Sequence, residues 1–156
     1  MTVFSKNEDK GKKTKGVLYT ELLEEGNLGK IPSTFFPSLF QEALDKEMEL
    51  RIFYLKEKCY SMAIFSQLDE QTNVDFRMYN YEKGNRNVPY VIPKKLELKI
   101  LKLMELLRLE SGSLDFIKTK EGRFVFLEVN PSGQFGMTST PCNYYLEEKI
   151  TQYLCD

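Results

Sequence analysis

Apolar residues recur along this chain in two different periods. Glu49–Leu55 (ELRIFYL) and Cys59–Ser66 (CYSMAIFS) are short, apolar and rich in aromatic and branched side chains, so they predict two strands, and the KEK between them suits a hairpin. NVDFRMYNY predicts another strand, and NYEKGNRNVPYVIP reads as a loop closed by Pro89 and Pro93. Over Lys94–Leu109 the period changes. Leu96, Ile100, Leu103 and Leu107 repeat at helical spacing, and lysine and glutamate fill much of the other face. Ser111 and Gly112 stop that helix. Two further strands follow, Leu114–Lys118 and Arg123–Asn130, joined by a turn containing Gly122. Thr140 and Pro141 read as the N-cap and first position of a last helix running to about Tyr153.

The amino-terminal part is less regular. Residues 1–16 form a lysine-rich polar arm, Val17–Leu23 suits a short strand or helical turn, and GNLGKIPS is a loop. FFPSLFQEAL is apolar and interrupted by Pro37, so its period assigns nothing. Phe35, Phe36 and Phe40 within it read as core or interface residues. The element order predicts one α+β domain over residues 17–156 with a mainly antiparallel sheet and flanking helices.

Composition removes several kinds of chemistry. The chain of 156 residues is 42% hydrophobic and 29% charged, which suits a globular domain. Its 22 basic and 23 acidic residues give a net charge of -1, no general attraction to nucleic acid or to an anionic membrane. No apolar run is long enough to span a bilayer, and the first residues have no signal-peptide core, so a cytoplasmic protein is expected. Cys59, Cys142 and Cys155 lack metal-like spacing and are expected as reduced thiols. There is no histidine, which excludes Ser-His and Cys-His nucleophilic sites and most zinc sites.

What remains is chemistry run on carboxylates, amides, Lys, Arg or a bound metal and cofactor, and the most informative segment for it is the hairpin LDFIKTKEGRFVFLEVNPSGQFG. Strict alternation puts Phe124, Phe126, Glu128 and Asn130 on one side and Val125, Leu127 and Val129 on the other, toward a core. If Lys118 pairs with Arg123, Asp115 sits opposite Phe126, one diagonal step from Glu128. Two carboxylates and an amide then converge, a donor set suited to a hard cation such as Mg²⁺. Spacing alone leaves this reading open beside that of an ordinary two-faced hairpin with solvated polar ends. An arginine on a strand, such as Arg51 or Arg77, likewise suits either a surface ion pair or a phosphate ligand.

Asp115 followed by LEVNPSGQ resembles the magnesium motif of the ATP-grasp superfamily. Together, FFPSLFQ, ELRIFYL with CYSMAIFSQ, VDFRMYN, FLEVNPSGQFG and PCNYYLE resemble the peptide maturases that make graspetides, among them the microviridin ligases. The resemblance runs from about Tyr19 to the end. It implies the carboxyl-terminal lobe of an ATP-grasp fold, with ATP and Mg²⁺ as cofactors and Asp115, Glu128 and Asn130 as metal ligands. It places Gln41 and Glu42 near the adenine, Arg51 at the phosphates and Arg77 at the phosphoryl-transfer site. It implies ATP-dependent activation of Asp or Glu side chains of a ribosomal precursor peptide as acyl phosphates. Ser or Thr hydroxyls or a Lys amine would then form esters or amides. Two alternatives stand beside it: an ATP-grasp ligase adding amino acids to a peptide or protein end, and a non-catalytic nucleotide- or partner-binding fragment. Complete enzymes of the family are longer, so an amino-terminal ATP-grasp portion that supplies phosphate-binding lysines is expected to be missing. Lys6 is either a remnant of such a lysine strand or one more exposed lysine of the arm. The expectation is that the chain alone does not complete a catalytic cycle.

Overall fold

A computed structural model describes residues 37–68 and 85–155, together with Leu22, Leu23, Gly26, Gly29, Ser33 and Thr34. The NVDFRMYNY segment, Phe35, Phe36, Lys6 and Arg77 lie outside the described residues. The chain divides into two compact units: residues 1–44 with 66–85, and residues 45–65 with 86–156. The second carries the sheet.

The strands are β1 (Lys46–Leu55), β2 (Lys58–Phe65), β3 (Arg86–Tyr90), β4 (Ser111–Thr119) and β5 (Phe124–Asn130). The helices are α1 (Lys94–Leu107), α2 (Gly136–Cys142) and α3 (Leu146–Cys155). The five strands form one antiparallel sheet in the order β3-β2-β1-β4-β5. The α+β expectation, a mainly antiparallel sheet with flanking helices, is what the fold shows. β1 is the central strand and is buried nearly throughout, its charged Lys46, Glu49 and Arg51 included, while Met48, Leu50, Ile52 and Tyr54 alternate onto one core. Lys56 and Glu57, both at positive φ, make the two-residue turn into β2.

The NVPY stretch is strand, not loop. Among the described residues β3 pairs only with β2 and lies at the sheet edge, and an edge tolerates Pro89 because one side of the strand needs no ladder hydrogen bond.

Each sheet face has its own cover. On one, Leu50, Ile52, Ala63, Leu114 and Phe116 pack with Leu96, Ile100 and Met104 of α1. The buried stripe of α1 is therefore 96/100/104, and Leu107, expected in it, is exposed. The helix ends at Arg108, which takes a left-handed conformation and donates its N–H to the carbonyls of Met104 and Glu105. On the other face, Phe53 and Leu55 pack with Leu146, Tyr60, Phe135, Tyr144, Ile150 and Tyr153. Burying the larger of these side chains contributes roughly 1.5–3 kcal/mol each.

The carboxyl-terminal helix starts later than Thr140. Pro141 lies inside the short α2, which stops at Asn143 in a left-handed conformation. Cys142 and Leu146 are buried on either side of this break. The cap of α3 comes from across it: Ser139 Oγ accepts from the Leu146 N–H at 3.0 Å and donates to Glu147 Oε2 at 2.6 Å. Thr140-Pro141 imitates an N-cap and first turn, but it is the tertiary position of Ser139 that starts the helix.

Candidate active site

The carboxylates sit where β1, β4 and β5 run side by side. Arg51 of β1 is in register with Asp115 of β4, and Asp115 is in register with Glu128 of β5. Ser113, two residues before Asp115, is opposite Asn130. Since Leu114 and Phe116 face α1, Ser113 and Asp115 face the other way, and their partners Glu128 and Asn130 with them. Directly opposed residues bring Cβ atoms within about 4.5–5.5 Å.

This differs from strict alternation. The register shifts between Asp115 and Phe116: Asp115 pairs with Glu128, but Phe116 pairs with Phe126, so Leu127 is an extra residue, a β-bulge. Lys118 pairs with Phe124 rather than Arg123. The bulge uncouples the two halves of β5. Phe126 stays on the α1 face, where its ring meets Phe116 edge-on with centroids 5.4 Å apart. Glu128 and Asn130 take the opposite face. The expected common face for Phe124, Phe126, Glu128 and Asn130 is therefore wrong, and the expected diagonal between Asp115 and Glu128 becomes a direct pairing. Val125, expected in the core, pairs with Ile117 on the carboxylate face.

Arg51 is only 6% exposed. Its Nη1 lies 3.2 Å from both Oδ1 and Oδ2 of Asp115. One nitrogen thus serves both oxygens, and the guanidinium is not engaged as a parallel fork. Arg51 Nε is buried without a hydrogen-bond partner among the described residues, as is Ser113 Oγ. Two residues before Arg51 on the same strand, Glu49 forms a buried ion pair with Lys46. Glu128 and Asn130 are exposed. The face thus grades from buried cation through half-buried carboxylate to exposed carboxylate at the sheet edge.

The loop after β5 is moulded to this face. Asn130 Oδ1 accepts the Ser132 N–H at 3.0 Å, and the Asn130 carbonyl accepts the Gly133 N–H at 3.2 Å. Gly133 has φ +41, and a Cβ there would lie 3.1 Å from a Phe53 ring carbon and 3.3 Å from the Ser113 nitrogen. Only glycine combines that conformation with that approach.

No three Asp, Glu, Cys or His side chains gather as a metal site among the described residues. Two carboxylates and the amide oxygen of Asn130, which keeps a lone pair beyond its Ser132 bond, are an all-oxygen set. That set fits a cation sharing its other positions with phosphate oxygens and water. The apolar groove lined by Leu96, Ile100, Phe116, Phe124 and Phe126 lies on the α1 face, away from these groups. Gln41 and Glu42 belong to the other unit and are exposed. Sequence reasoning missed Ser113 and the contact of Gly133. Ser113 has a sequence signal, because a small polar residue two before Asp115 must share its face; the Gly133 contact joins residues too distant in sequence to be seen.

A sheet of this order with these helices is part of an ATP-grasp fold. Solved structures bear this out. The RiPP-associated ATP-grasp ligase of Chryseobacterium gregarium, solved with ADP and a leader and core peptide, matches at 27% identity with a TM-score of 0.73, over 86% of this chain and 40% of that one. The macrocyclase MdnC of Microcystis aeruginosa MRC, bound with precursor peptide MdnA, matches at 30% identity and a TM-score of 0.58, over 72% of this chain and 31% of that one. The ATP-grasp ligase PsnB, solved with a minimal precursor, Mg and ADP, shares the fold at 17% identity and a TM-score of 0.52, over 66% of this chain and 30% of that one. The resemblance to graspetide maturases stands, and the chain spans less than half the length of these ligases. No family model and no curated protein matches the sequence. Among the described residues no helix is long and apolar enough to cross a membrane.

Proposed function

We propose that this chain is the carboxyl-terminal, metal-binding part of an ATP- and Mg²⁺-dependent carboxylate ligase acting on a ribosomal precursor peptide in the cytoplasm. The observation that carries the reading is the direct pairing of Asp115 with Glu128, with Asn130 on the same face and Arg51 beside them. The similarity to peptide-bound ATP-grasp ligases supports it. Asp115, Glu128 and Asn130 would hold Mg²⁺, which supplies charge neutralisation at the phosphates. In the first step a substrate carboxylate oxygen attacks the γ-phosphorus, the bond to the β-phosphate bridging oxygen breaks, and ADP leaves. In the second, a Ser or Thr hydroxyl or a Lys amine attacks the acyl carbon and gives up its proton, and phosphate leaves. The protein needs no nucleophile of its own, in keeping with a sequence without histidine. Its work is positioning and electrostatics. Arg51 offers planar donors to phosphate oxygens, and Arg77 to the transferred group. Gln41 and Glu42 contact the adenine in this reading, and Lys6 reaches the phosphates. Residues 1–16 are then an arm or a remnant of the first lobe, and 17–156 the carboxyl-terminal domain.

The test is Mg²⁺-dependent ATP binding and peptide cross-linking by this chain, supplied with the amino-terminal portion of a related complete ligase. Glu128→Gln keeps shape and removes charge. It should weaken Mg²⁺–ATP binding about tenfold or more, as expected for loss of one charged ligand. Equal affinity and equal turnover would sink the metal assignment. ADP release with an amino acid acceptor but no cross-linking would favour the end-adding ligase.

A further inference from the structure

The pairing of Arg51 with Asp115 has a consequence for how a cation reaches the carboxylates. Arg51 Nη1 lies 3.2 Å from each Asp115 oxygen, so both oxygens that a metal would use face a protein cation. The guanidinium is buried, and Asp115's side chain is only 15% exposed. Glu128, directly opposite Asp115, is open to solvent. A divalent ion arriving from solvent therefore meets Glu128 first, and at Asp115 it competes with the guanidinium for the same two oxygens.

We infer that Arg51 is a resident counter-cation that Mg²⁺ exchanges for itself: the metal takes Asp115, and the freed guanidinium turns to the nucleotide phosphates. This rests on the metal reading above and extends it to the order of events. A guanidinium and a divalent cation compete for one carboxylate, so each weakens the other's hold. The unpartnered Nε fits this role, because the metal-free pairing leaves one Arg51 donor unused in a buried place. A bound phosphate would give that donor and the displaced Nη1 an acceptor together. Arg51 is thus a positioning residue for the metal ligand before the exchange, and it touches the phosphate only after it.

The experiment measures Mn²⁺ binding to the purified 156-residue chain without nucleotide, by the loss of the free-ion electron paramagnetic resonance signal. Removing the competing charge in Arg51→Met should tighten Mn²⁺ binding about tenfold, the equivalent of one charged hydrogen bond. Arg51→Lys keeps a cation and should stay near the wild-type affinity. A purely structural role for Arg51 would weaken binding in both. Unchanged or weaker binding in a folded Arg51→Met protein would overturn the exchange. Should Arg51→Met fail to fold, the Arg51 Nε resonance of the ¹⁵N-labelled wild type decides instead. It should move on adding Mg²⁺ and stay fixed in Glu128→Gln. A fixed resonance while Mn²⁺ still binds the wild type would refute the exchange and leave the metal reading intact. No Mn²⁺ binding by wild type or any variant would overturn both.

Discussion

Replacing Gly133 by alanine tests whether the loop after β5 is seated on the carboxylate face as tightly as the structure has it. Gly133 has φ +41, a left-handed conformation that costs an L-residue roughly 1–2 kcal/mol. Alanine also lowers the freedom of the unfolded chain, which offsets about 0.4–1 kcal/mol of that. The decisive effect is the new methyl. It would lie 3.1 Å from Phe53 Cε2, 3.3 Å from the Ser113 nitrogen and 3.4 Å from the Gly112 carbonyl carbon. Phe53 is buried and stacked at a tilt on Phe135, with centroids 5.9 Å apart, and the other two atoms are backbone of β4, paired on both sides by β1 and β5. None can retreat cheaply, and overpacking of this kind costs roughly 1–3 kcal/mol. A net loss of roughly 2–3 kcal/mol is expected, which lowers the thermal midpoint of a chain this size by about 5–10 °C. Gly122→Ala is the internal control. Gly122 has φ +81 with nothing within 4 Å of the added carbon, so it bears the backbone strain without the collision and should cost only about 1 kcal/mol. Urea titration of both variants gives the difference directly. A Gly133→Ala loss no larger than that of Gly122→Ala would show that the loop is not seated as described. Because Gly133 donates to the Asn130 carbonyl, the same variant should also weaken Mn²⁺ binding, whereas Gly122→Ala should not.

Deleting Leu127 should be tolerated, within about 2 kcal/mol of wild type, because it is the bulged residue outside the register and the pairs Asp115–Glu128 and Phe116–Phe126 survive without it. Deleting Val125 instead turns Phe124 to the wrong face and should unfold the hairpin, so equal denaturation midpoints for the two deletions would contradict the bulge. Burial, helped by the charge of Glu97, pushes the Cys59 thiol up to about 12, so it should resist alkylation at pH 8 in the folded chain and react on unfolding. With the folded value above the ordinary 9.0, the contribution of that neutral thiol to stability is full below pH 9 and is lost as pH rises through the folded value. Alkylation of folded Cys59 as fast as that of the exposed Cys155 would refute the burial.

The elements that rest on local pattern were legible in the chain. The apolar runs of β1 and β2, the helical stripe of α1 and the hairpin around Gly122 need only neighbours within a few residues, and period reports such neighbours faithfully. The motif around Glu128 and Asn130, together with Asp115, marked the fold and a candidate site for the same reason: its members are close in sequence. Non-local geometry was not legible. Whether Pro89 sits in a loop or a strand depends on its being at a sheet edge, which only the strand order reveals. Thr140-Pro141 carried the local signature of a helix start, yet Ser139 caps α3 from across a turn, a hydrogen bond that no residue pattern encodes. The bulge at Leu127 is the clearest case. A run of alternating residues has the same appearance whether or not one of them is skipped in pairing, and only packing decides it. Phe126 is needed against Phe116 on the α1 face, while Glu128 is opposite Asp115 on the other. The order of residues alone singled out Asp115, Glu128 and Asn130 as candidates for the chemistry. The tertiary structure decided that they face each other, because a one-residue shift in register reverses every side chain beyond it.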